Sequence, residues 1–256
     1  MSKTNRHLLS AALILGFFIV WQLICVGFHI SDIILPSPSQ IVTTLIERFP
    51  AIWPHAFQTL YTTLVGFALA IVFGVAIGIV AGSSRVAYDV ANPLLVGFAS
   101  IPKVAVVPIF VLWFGSGTVP AVLTAMVTSV FPIVVNVATG LATTEPELED
   151  FMRTLNATKM ERLLNVGLPR TMPYFFASLK VAVTLAFVGS VISETVASNR
   201  GIGNLMMIAS SNFDVPLVFA GLLILAVLGV ALYAIFSMIE SRVTGWATRG
   251  TDFATI

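Results

Sequence analysis

Six runs of about twenty predominantly apolar residues constrain this chain more than any other feature of its sequence. They cover about residues 8–28, 58–81, 93–114, 121–141, 173–192 and 216–239. An α-helix needs about 20 apolar residues to cross the hydrocarbon core of a bilayer, because it rises about 1.5 Å per residue. In lipid every backbone N–H and C=O must find a partner within the protein, and a helix satisfies its own. The sequence therefore predicts an all-α, polytopic membrane protein with about six transmembrane helices.

The composition agrees with this class and excludes several others. Hydrophobic residues make up 57% of the 256 residues and charged residues only 10%, whereas soluble domains are about one quarter charged. The formal net charge of +1 argues against nucleic acid as a partner. The single cysteine, Cys25, allows neither an intrachain disulfide nor a cysteine-based metal site. Because His7, His29 and His55 are also widely separated, we expect no metal site.

The distribution of basic residues predicts how the chain is oriented. The first apolar run follows Lys3 and Arg6 and is longer than the apolar core of a signal peptide, so we expect it to remain as a membrane anchor. Nine of the thirteen Lys and Arg residues fall on the side that holds both termini and the segment between the fourth and fifth runs. Arg48 and Arg200 fall on the other side. The positive-inside rule therefore predicts that both termini and this segment are cytoplasmic.

That segment, residues 144–170, is polar, and its sequence predicts two short helices joined by a tight turn. Thr144 with Glu147, and Thr158 with Glu161, have the spacing of capping boxes, so a helix is predicted to begin at each threonine. Asn156 lies between them, and asparagine readily adopts the left-handed conformation that ends a helix. We call this segment the hairpin. A polar hairpin delimited in this way between two spans suggests contact with another protein.

Glycine and proline delimit the other elements. Gly167 is predicted to end the second hairpin helix, and Pro169 to prevent it from continuing. Pro102 and Pro108 are predicted to kink or break the third span, which also carries Lys103 near its middle. The second span has glycines at helical spacings, which predict close helix packing. A short amphipathic helix is expected over residues 41–49, and an outer loop over residues 194–214.

The hairpin resembles the EAA loop of binding-protein-dependent ABC importer permeases. In that pattern Asp150-Phe-Met stands at the Glu-Ala-Ala position and Asn156 at the glycine position. Val166, Leu168 and Pro169 match the Ile-x-Leu-Pro end in register. The sequence departs from the pattern in two ways: only the acidic charge is kept in the Glu-Ala-Ala triplet, and the turn glycine is asparagine, which can adopt the same conformation.

Further segments resemble the nitrate, sulfonate and taurine branch of these permeases. They are Leu35-Pro-Ser-Pro, Ile101-Pro-Lys-Val-Ala, Pro108-Ile-Phe-Val-Leu-Trp-Phe-Gly115, Phe131-Pro-Ile, Ser193-Glu194 with Gly201-Ile-Gly203, and Ile239-Glu-Ser-Arg-Val-Thr-Gly-Trp246. The segments from Ser178 and from Phe187 resemble members that serve binding proteins for pyrimidine precursors or similar heterocycles. Together these segments span nearly the whole chain in order.

The resemblance implies the fold of a type I ABC importer permease, with a single transmembrane domain over residues 1–256 and a core over about 57–240. It implies an inner-membrane homodimer, a dimeric ABC ATPase on the cytoplasmic face, and a periplasmic or lipid-anchored solute-binding protein. The chain itself would be no enzyme and carry no cofactor, since Mg-ATP would be bound by the partner. The solute would be a sulfonate, an anion like nitrate or taurine, or a heterocycle like a pyrimidine or thiamine precursor.

Two groups of residues are candidates for function. The ATPase-coupling residues would be Glu147, Asp150, Arg153, Asn156, Ala157, Thr158, Glu161, Leu168 and Pro169. The translocation path would involve Lys103, Trp113, Asn136 and Glu194. Simpler roles stay open: Asp150 as a favourable charge near a helix start, Lys103 paired with a backbone carbonyl at the kink, Asn136 joining two helices, and Glu194 as an interfacial acid or a contact to the binding protein.

Two other functional classes compete with an ATP-driven importer. A secondary transporter or channel would need no ATP, but often shows matching halves with interrupted helices, and the kinked third span has no evident twin. A membrane-embedded enzyme is disfavoured because no acid lies within the spans and no Ser/His or metal cluster occurs. The chain lacks the phosphate-binding motif Gly-x-x-x-x-Gly-Lys-Ser/Thr, so ATP energy would have to come from a partner.

Overall fold

The structure, a computed structural model, describes residues 3–143, 147, 151–152 and 154–244. Across these ranges the backbone forms helices and connecting turns without a strand. In chain order the helices are α1 (Lys3–Gly27), α2 (Pro38–Glu47), α3 (Phe49–Gly82), α4 (Arg85–Ser100), α5 (Val107–Phe114), α6 (Thr118–Ala142), α7 (Lys159–Arg162), α8 (Leu168–Ala197), α9 (Ile202–Ser211) and α10 (Val215–Val243).

Four helical segments of the described chain are long and apolar enough to cross a membrane. These are α3, α6, α10 and the continuous helix Met160–Ala197 that contains α8. A fifth crossing is formed by α4 together with Lys103–Phe114, and the two parts are bent by 79°. The first apolar run is helical throughout α1, with Ala12–Gly27 as its apolar part. The predicted all-α, polytopic fold is confirmed, and so is the break in the third run.

Helices α3 and α6 pack in parallel at the centre of the bundle. A Cβ atom on Gly74 would lie 2.8 Å from Cβ of Ile133, and one on Gly78 would lie 2.7 Å from Cβ of Val137. Real Cβ atoms do not approach so closely, so the glycines allow the two backbones to pack closely, as in other membrane helix pairs. The close packing predicted from the glycine spacing is therefore confirmed.

Helix α8 packs antiparallel to α6 and also contacts α3, and α10 packs against α8. Buried Val183 and Phe187 of α8 belong to the same apolar core as Phe67 of α3 and Val137 of α6. Lys180 of α8 forms an ion pair with Glu240 of α10. A lysine side chain held by a neighbouring span satisfies a charge that would be costly to expose to lipid.

Helices α2 and α3 begin earlier in the chain than the sequence predicted. Helix α2 starts at Pro38 because Ser37 and Gln40 form a capping box, with the proline in the first turn. Helix α3 starts at Phe49, nine residues before the predicted span, and includes Pro54. The proline at position 50 lies in the first turn, where its missing N–H costs no hydrogen bond.

The predicted outer loop over residues 194–214 is wrong. Helix α8 continues to Ala197, and the short helix α9 occupies Ile202–Ser211. Ile202 is fully buried and packs with Ile52 and Ala56 of α3, which explains why this segment is helical rather than a free loop. The end of the bundle that carries α9 lies opposite the hairpin, and we call it the α9 end.

Candidate functional site

The turn of the hairpin has the predicted left-handed residue. Asn156 has a φ of +57°. The N–H of Ala157 donates to the carbonyl of Met152 at 3.0 Å, which is the six-to-one hydrogen bond of a Schellman motif. The helix that includes Phe151 and Met152 therefore ends at this turn. The prediction that Asn156 takes the conformation usually supplied by glycine is confirmed.

The second hairpin helix begins at the predicted capping box. The N–H of Thr158 donates to Oε2 of Glu161 at 2.7 Å, and the N–H of Glu161 lies 3.3 Å from Oγ1 of Thr158. The capping box thus pairs two backbone N–H groups at the start of this helix that would otherwise lack a partner. The capping box predicted at Thr144 lies outside the described residues, and so do Asp150 and Arg153; Glu147 is helical and exposed.

The predicted end of this helix at Gly167 is wrong. Gly167 has helical dihedrals (φ −59°, ψ −57°), and Leu163–Gly167 form a π turn that leads directly into α8. The N–H of Leu168 donates to the carbonyl of Leu163, one residue further back than in an α-helix. This shift of register accommodates Pro169, which has no N–H and would otherwise clash with the carbonyl four residues before it. The hairpin is therefore continuous with the fifth span.

Apolar side chains lie exposed along this polar hairpin. Phe151, Leu155 and Met160 are each about 60% exposed. Next to them, Leu168 and Pro169 line a shallow apolar cavity at the end of α10. Exposed apolar groups of this kind, surrounded by polar residues, mark sites of protein contact. Among the coupling candidates in the described part, the exposed ones are Glu147, Asn156, Thr158, Glu161 and Pro169.

Lys103 lies at the break of the third run. Its Nζ donates to the carbonyl of Phe98 at 3.0 Å and to that of Ala99, and lies 5.5 Å from the centroid of the Phe98 ring. A lysine placed in this way satisfies the unpaired carbonyls at the C-terminus of α4 and opposes the negative end of its dipole. Pairing with a backbone carbonyl at the kink was one of the alternative roles that the sequence allowed for Lys103.

The other path candidates lie on separate elements. Trp113 is 68% exposed near the end of α5. Asn136 is half-buried in α6, where its Nδ2 donates to the carbonyl of Pro132 at 2.8 Å. In the described chain no hydrogen bond or ring contact joins any two of the four path candidates.

Glu194 is the most buried of the path candidates. Only 1% of the residue is exposed, and it lies within α8, three residues before the end of that helix. Its carboxylate accepts hydrogen bonds from Oγ1 of Thr59 at 2.8 Å, from Oγ1 of Thr62 at 3.3 Å and from the N–H of Gly203 at 3.2 Å. Three helices (α3, α8 and α9) therefore meet at this carboxylate.

Sequence reasoning did not identify the partners of Glu194. Thr59 and Thr62 are spaced by three residues on α3, and Ser190 precedes Glu194 by four on α8, so each pair lies on one helix face. This spacing of small polar residues within apolar runs was an available signal. The sequence does not show that these faces of α3 and α8 are turned towards each other.

Comparison with known proteins identifies the family. Residues 70–245 match the family described as "Binding-protein-dependent transport system inner membrane component". The chain is 32% identical to the formylaminopyrimidine transport permease protein ThiX of Halalkalibacterium halodurans over 96% of this chain and 98% of that protein. It is 27% identical to the nitrate import permease protein NrtB of a Synechocystis species, over 94% of this chain and 90% of that protein.

A solved structure agrees on the fold. A chain of the MetNI methionine ABC transporter, crystallised in an inward-facing conformation, matches with a TM-score of 0.67 at 20% sequence identity. The match covers 76% of this chain and 98% of that chain. The fold predicted from the sequence and the family to which its hairpin pointed are both confirmed. The chain belongs to the binding-protein-dependent transport system inner membrane components, the permeases of ABC importers.

Proposed function

We propose that this permease carries a small organic solute inward and is driven by a separate ATPase that docks on the hairpin. As a member of its family it is a membrane component of an ABC importer and not itself an enzyme. The family assignment favours this function over an ATP-independent transporter or channel. Mg-ATP would be bound by the partner ATPase, and we propose no cofactor for this chain.

The continuity of the hairpin with α8 carries the proposal. A partner that moves the hairpin would move α8 with it, because Met160–Ala197 is one continuous helix through the π turn at Leu163–Gly167. The exposed Phe151, Leu155 and Met160 would supply the apolar part of the docking surface. From the sequence we also assign Asp150 and Arg153 to the proposed contact with the ATPase.

The transport cycle would be an equilibrium between inward-facing and outward-facing states. ATP binding to the partner would favour one state through the hairpin, and a loaded solute-binding protein would act at the α9 end. A ligand shifts such an equilibrium only as far as it binds the two states differently. Both partners are therefore needed for directed transport.

We propose that two copies of the chain enclose the path. Leu112, Trp113 and Phe114 of α5 are 82%, 68% and 55% exposed, which is a large apolar surface at one end of the broken crossing. The candidates Lys103, Trp113 and Asn136 do not converge within one chain. A second copy would supply the opposite wall of the path, as expected for a symmetric homodimer.

We propose that the hairpin end faces the cytoplasm of a bacterial inner membrane. Arg85, Arg162, Arg170 and Arg242 lie at this end, whereas Arg48 and Arg200 lie at the α9 end. This asymmetry is what the positive-inside rule requires. The alternating direction of α1, α3, the broken crossing, α6, α8 and α10 would place both termini on the cytoplasmic side.

For the solute we propose a heterocycle of the pyrimidine-precursor type. The supporting observation is the 32% identity to a formylaminopyrimidine permease over nearly the full length of both chains, compared with 27% to a nitrate permease. The test is ATP hydrolysis by the permease reconstituted in nanodiscs with its ATPase and its solute-binding protein. Formylaminopyrimidine should stimulate hydrolysis and nitrate should not. Stimulation by nitrate or by a sulfonate alone would overturn the assignment of the solute.

A further inference from the structure

Helix α9 begins without a capping side chain of its own. Its N-cap residue is Gly201, with a φ of +112° and no side chain to accept a hydrogen bond. The first N–H groups of a helix have no partner inside it and form the positive end of its dipole. A buried helix start of this kind requires acceptors from elsewhere.

Neighbouring helices supply these acceptors. The N–H of Ile202 donates to Oγ1 of Thr59 at 2.9 Å, and the N–H of Gly203 donates to Oε2 of Glu194 at 3.2 Å. The N–H of Gly201 lies 3.2 Å from Nδ1 of His55. Thr59 and His55 belong to α3, and Glu194 belongs to α8. The Nδ1 of His55 also lies 3.0 Å from the carbonyl oxygen of Gly201, so it faces both backbone groups of that residue.

Gly201 makes room for the carboxylate, and Gly203 makes room for the neighbouring turn of α8. A Cβ atom on Gly201 would lie 2.2 Å from Cδ of Glu194, and one on Gly203 would lie 2.6 Å from the carbonyl oxygen of Val191. Any side chain at either position would push α9 away from α8. The sequence Gly201-Ile-Gly203 is therefore matched to the buried carboxylate of Glu194.

Hydroxyl groups complete the surroundings of Glu194. Thr59 and Thr62 donate to it, and Ser190 lies within 3.5 Å. Among the described residues no lysine or arginine forms an ion pair with it. The carboxylate is therefore contacted by hydroxyl groups and by a backbone N–H. These neutral donors require an acceptor oxygen and do not require a negative charge.

We propose that Glu194 is a positioning residue: it caps α9 from α8 and so fixes the outer surface through which the solute-binding protein acts. Met207, Ile208 and Phe213, at and just after α9, are 48%, 51% and 72% exposed at the α9 end. This inference rests on the proposed function, which places a binding protein at that end. The binding protein would contact α9, and the buried carboxylate of Glu194 would set the orientation of that helix.

The test measures how ATP hydrolysis depends on the concentration of loaded binding protein, in nanodiscs that hold permease and ATPase. Glu194→Ala leaves the N–H of Gly203 unpaired, and we expect the half-saturating concentration of loaded binding protein to rise about tenfold. Glu194→Gln keeps an acceptor oxygen and should stay within about threefold of the wild type. Gly201→Ala should behave like Glu194→Ala, because its Cβ displaces the carboxylate.

Ser193→Ala is the matched control, because Ser193 is buried on the same turn of α8 and its hydroxyl has no hydrogen-bond partner among the described residues. It should leave the half-saturating concentration of loaded binding protein unchanged. A Glu194→Ala curve that coincides with the wild-type curve would overturn the inference. So would a Glu194→Gln variant as defective as Glu194→Ala, since charge rather than capping would then matter. If the wild type itself is not stimulated by any loaded binding protein, the proposed function fails instead.

Discussion

Gly78 is a residue at which one methyl group should disturb the packing of two spans. A Cβ atom there would lie 2.7 Å from Cβ of Val137 in α6, too close for any real contact. Overpacking of this kind costs about 1–3 kcal/mol. We expect Gly78→Ala to lower the thermal unfolding midpoint of the purified permease.

Gly97→Ala is the matched control for this prediction. Gly97 is also helical, and a Cβ atom there would meet no atom within 4 Å. Alanine is favoured over glycine in a helix interior by about 1 kcal/mol, so this variant should be neutral or stabilised. An equal loss of stability in both variants would show that contact with α6 is not the cause.

At single residues, local conformation followed from the sequence more readily than long-range partners did. Asn156 and the Thr158–Glu161 box were predicted because their hydrogen bonds join neighbours in the chain. The partners of Glu194 were not, because Thr59 lies 135 positions away in the sequence. Such a pairing depends on which helix faces turn towards each other, and a single sequence does not contain this information.

Among the elements, proline indicated irregularity but not its form. Pro102 and Pro108 predicted a break in the third run, yet not that the two parts would bend by 79°. Pro169 was expected to keep the hairpin helix ended at Gly167, and instead it follows a π turn inside a continuous helix. A proline cannot donate a backbone hydrogen bond, and its ring clashes with the carbonyl four residues earlier in an α-helix. The chain can avoid both problems either by ending the helix or by shifting the hydrogen-bond register by one residue.

Five of the six predicted apolar runs form candidate crossings in the described chain, one of them as a bent pair, whereas the connections between them were predicted less well. A run of twenty apolar residues has few alternatives to a membrane helix, since the backbone must pair with itself in lipid. Helix α9 has only ten residues and was taken for a loop, because a segment this short is stabilised by packing on α3, α8 and α10 rather than by its own sequence.

At the scale of the whole molecule, the orientation in the membrane can be tested with single cysteines. The native Cys25 is buried and would first be replaced by alanine. Thr154→Cys in the hairpin and Ser116→Cys between α5 and α6 both occupy exposed positions. A membrane-impermeant thiol reagent added to intact spheroplasts should label Ser116→Cys and leave Thr154→Cys unlabelled until the membrane is opened. Labelling of Thr154→Cys in sealed spheroplasts would reverse the proposed orientation.

The central claim is that the permease is driven through its hairpin, and the most direct measurement is the amount of ATPase that copurifies with hairpin variants at equal permease abundance. Asn156→Gly should retain the partner, because glycine adopts the left-handed conformation without strain. Asn156→Val should strain the turn by about 1–2 kcal/mol and lower the affinity for the ATPase about 5–30-fold. Asp150→Lys should lose the partner as well, by reversing the charge in the proposed contact. Full retention of the ATPase and normal coupled uptake by both Asn156→Val and Asp150→Lys would contradict the claim that the hairpin couples ATP hydrolysis to transport.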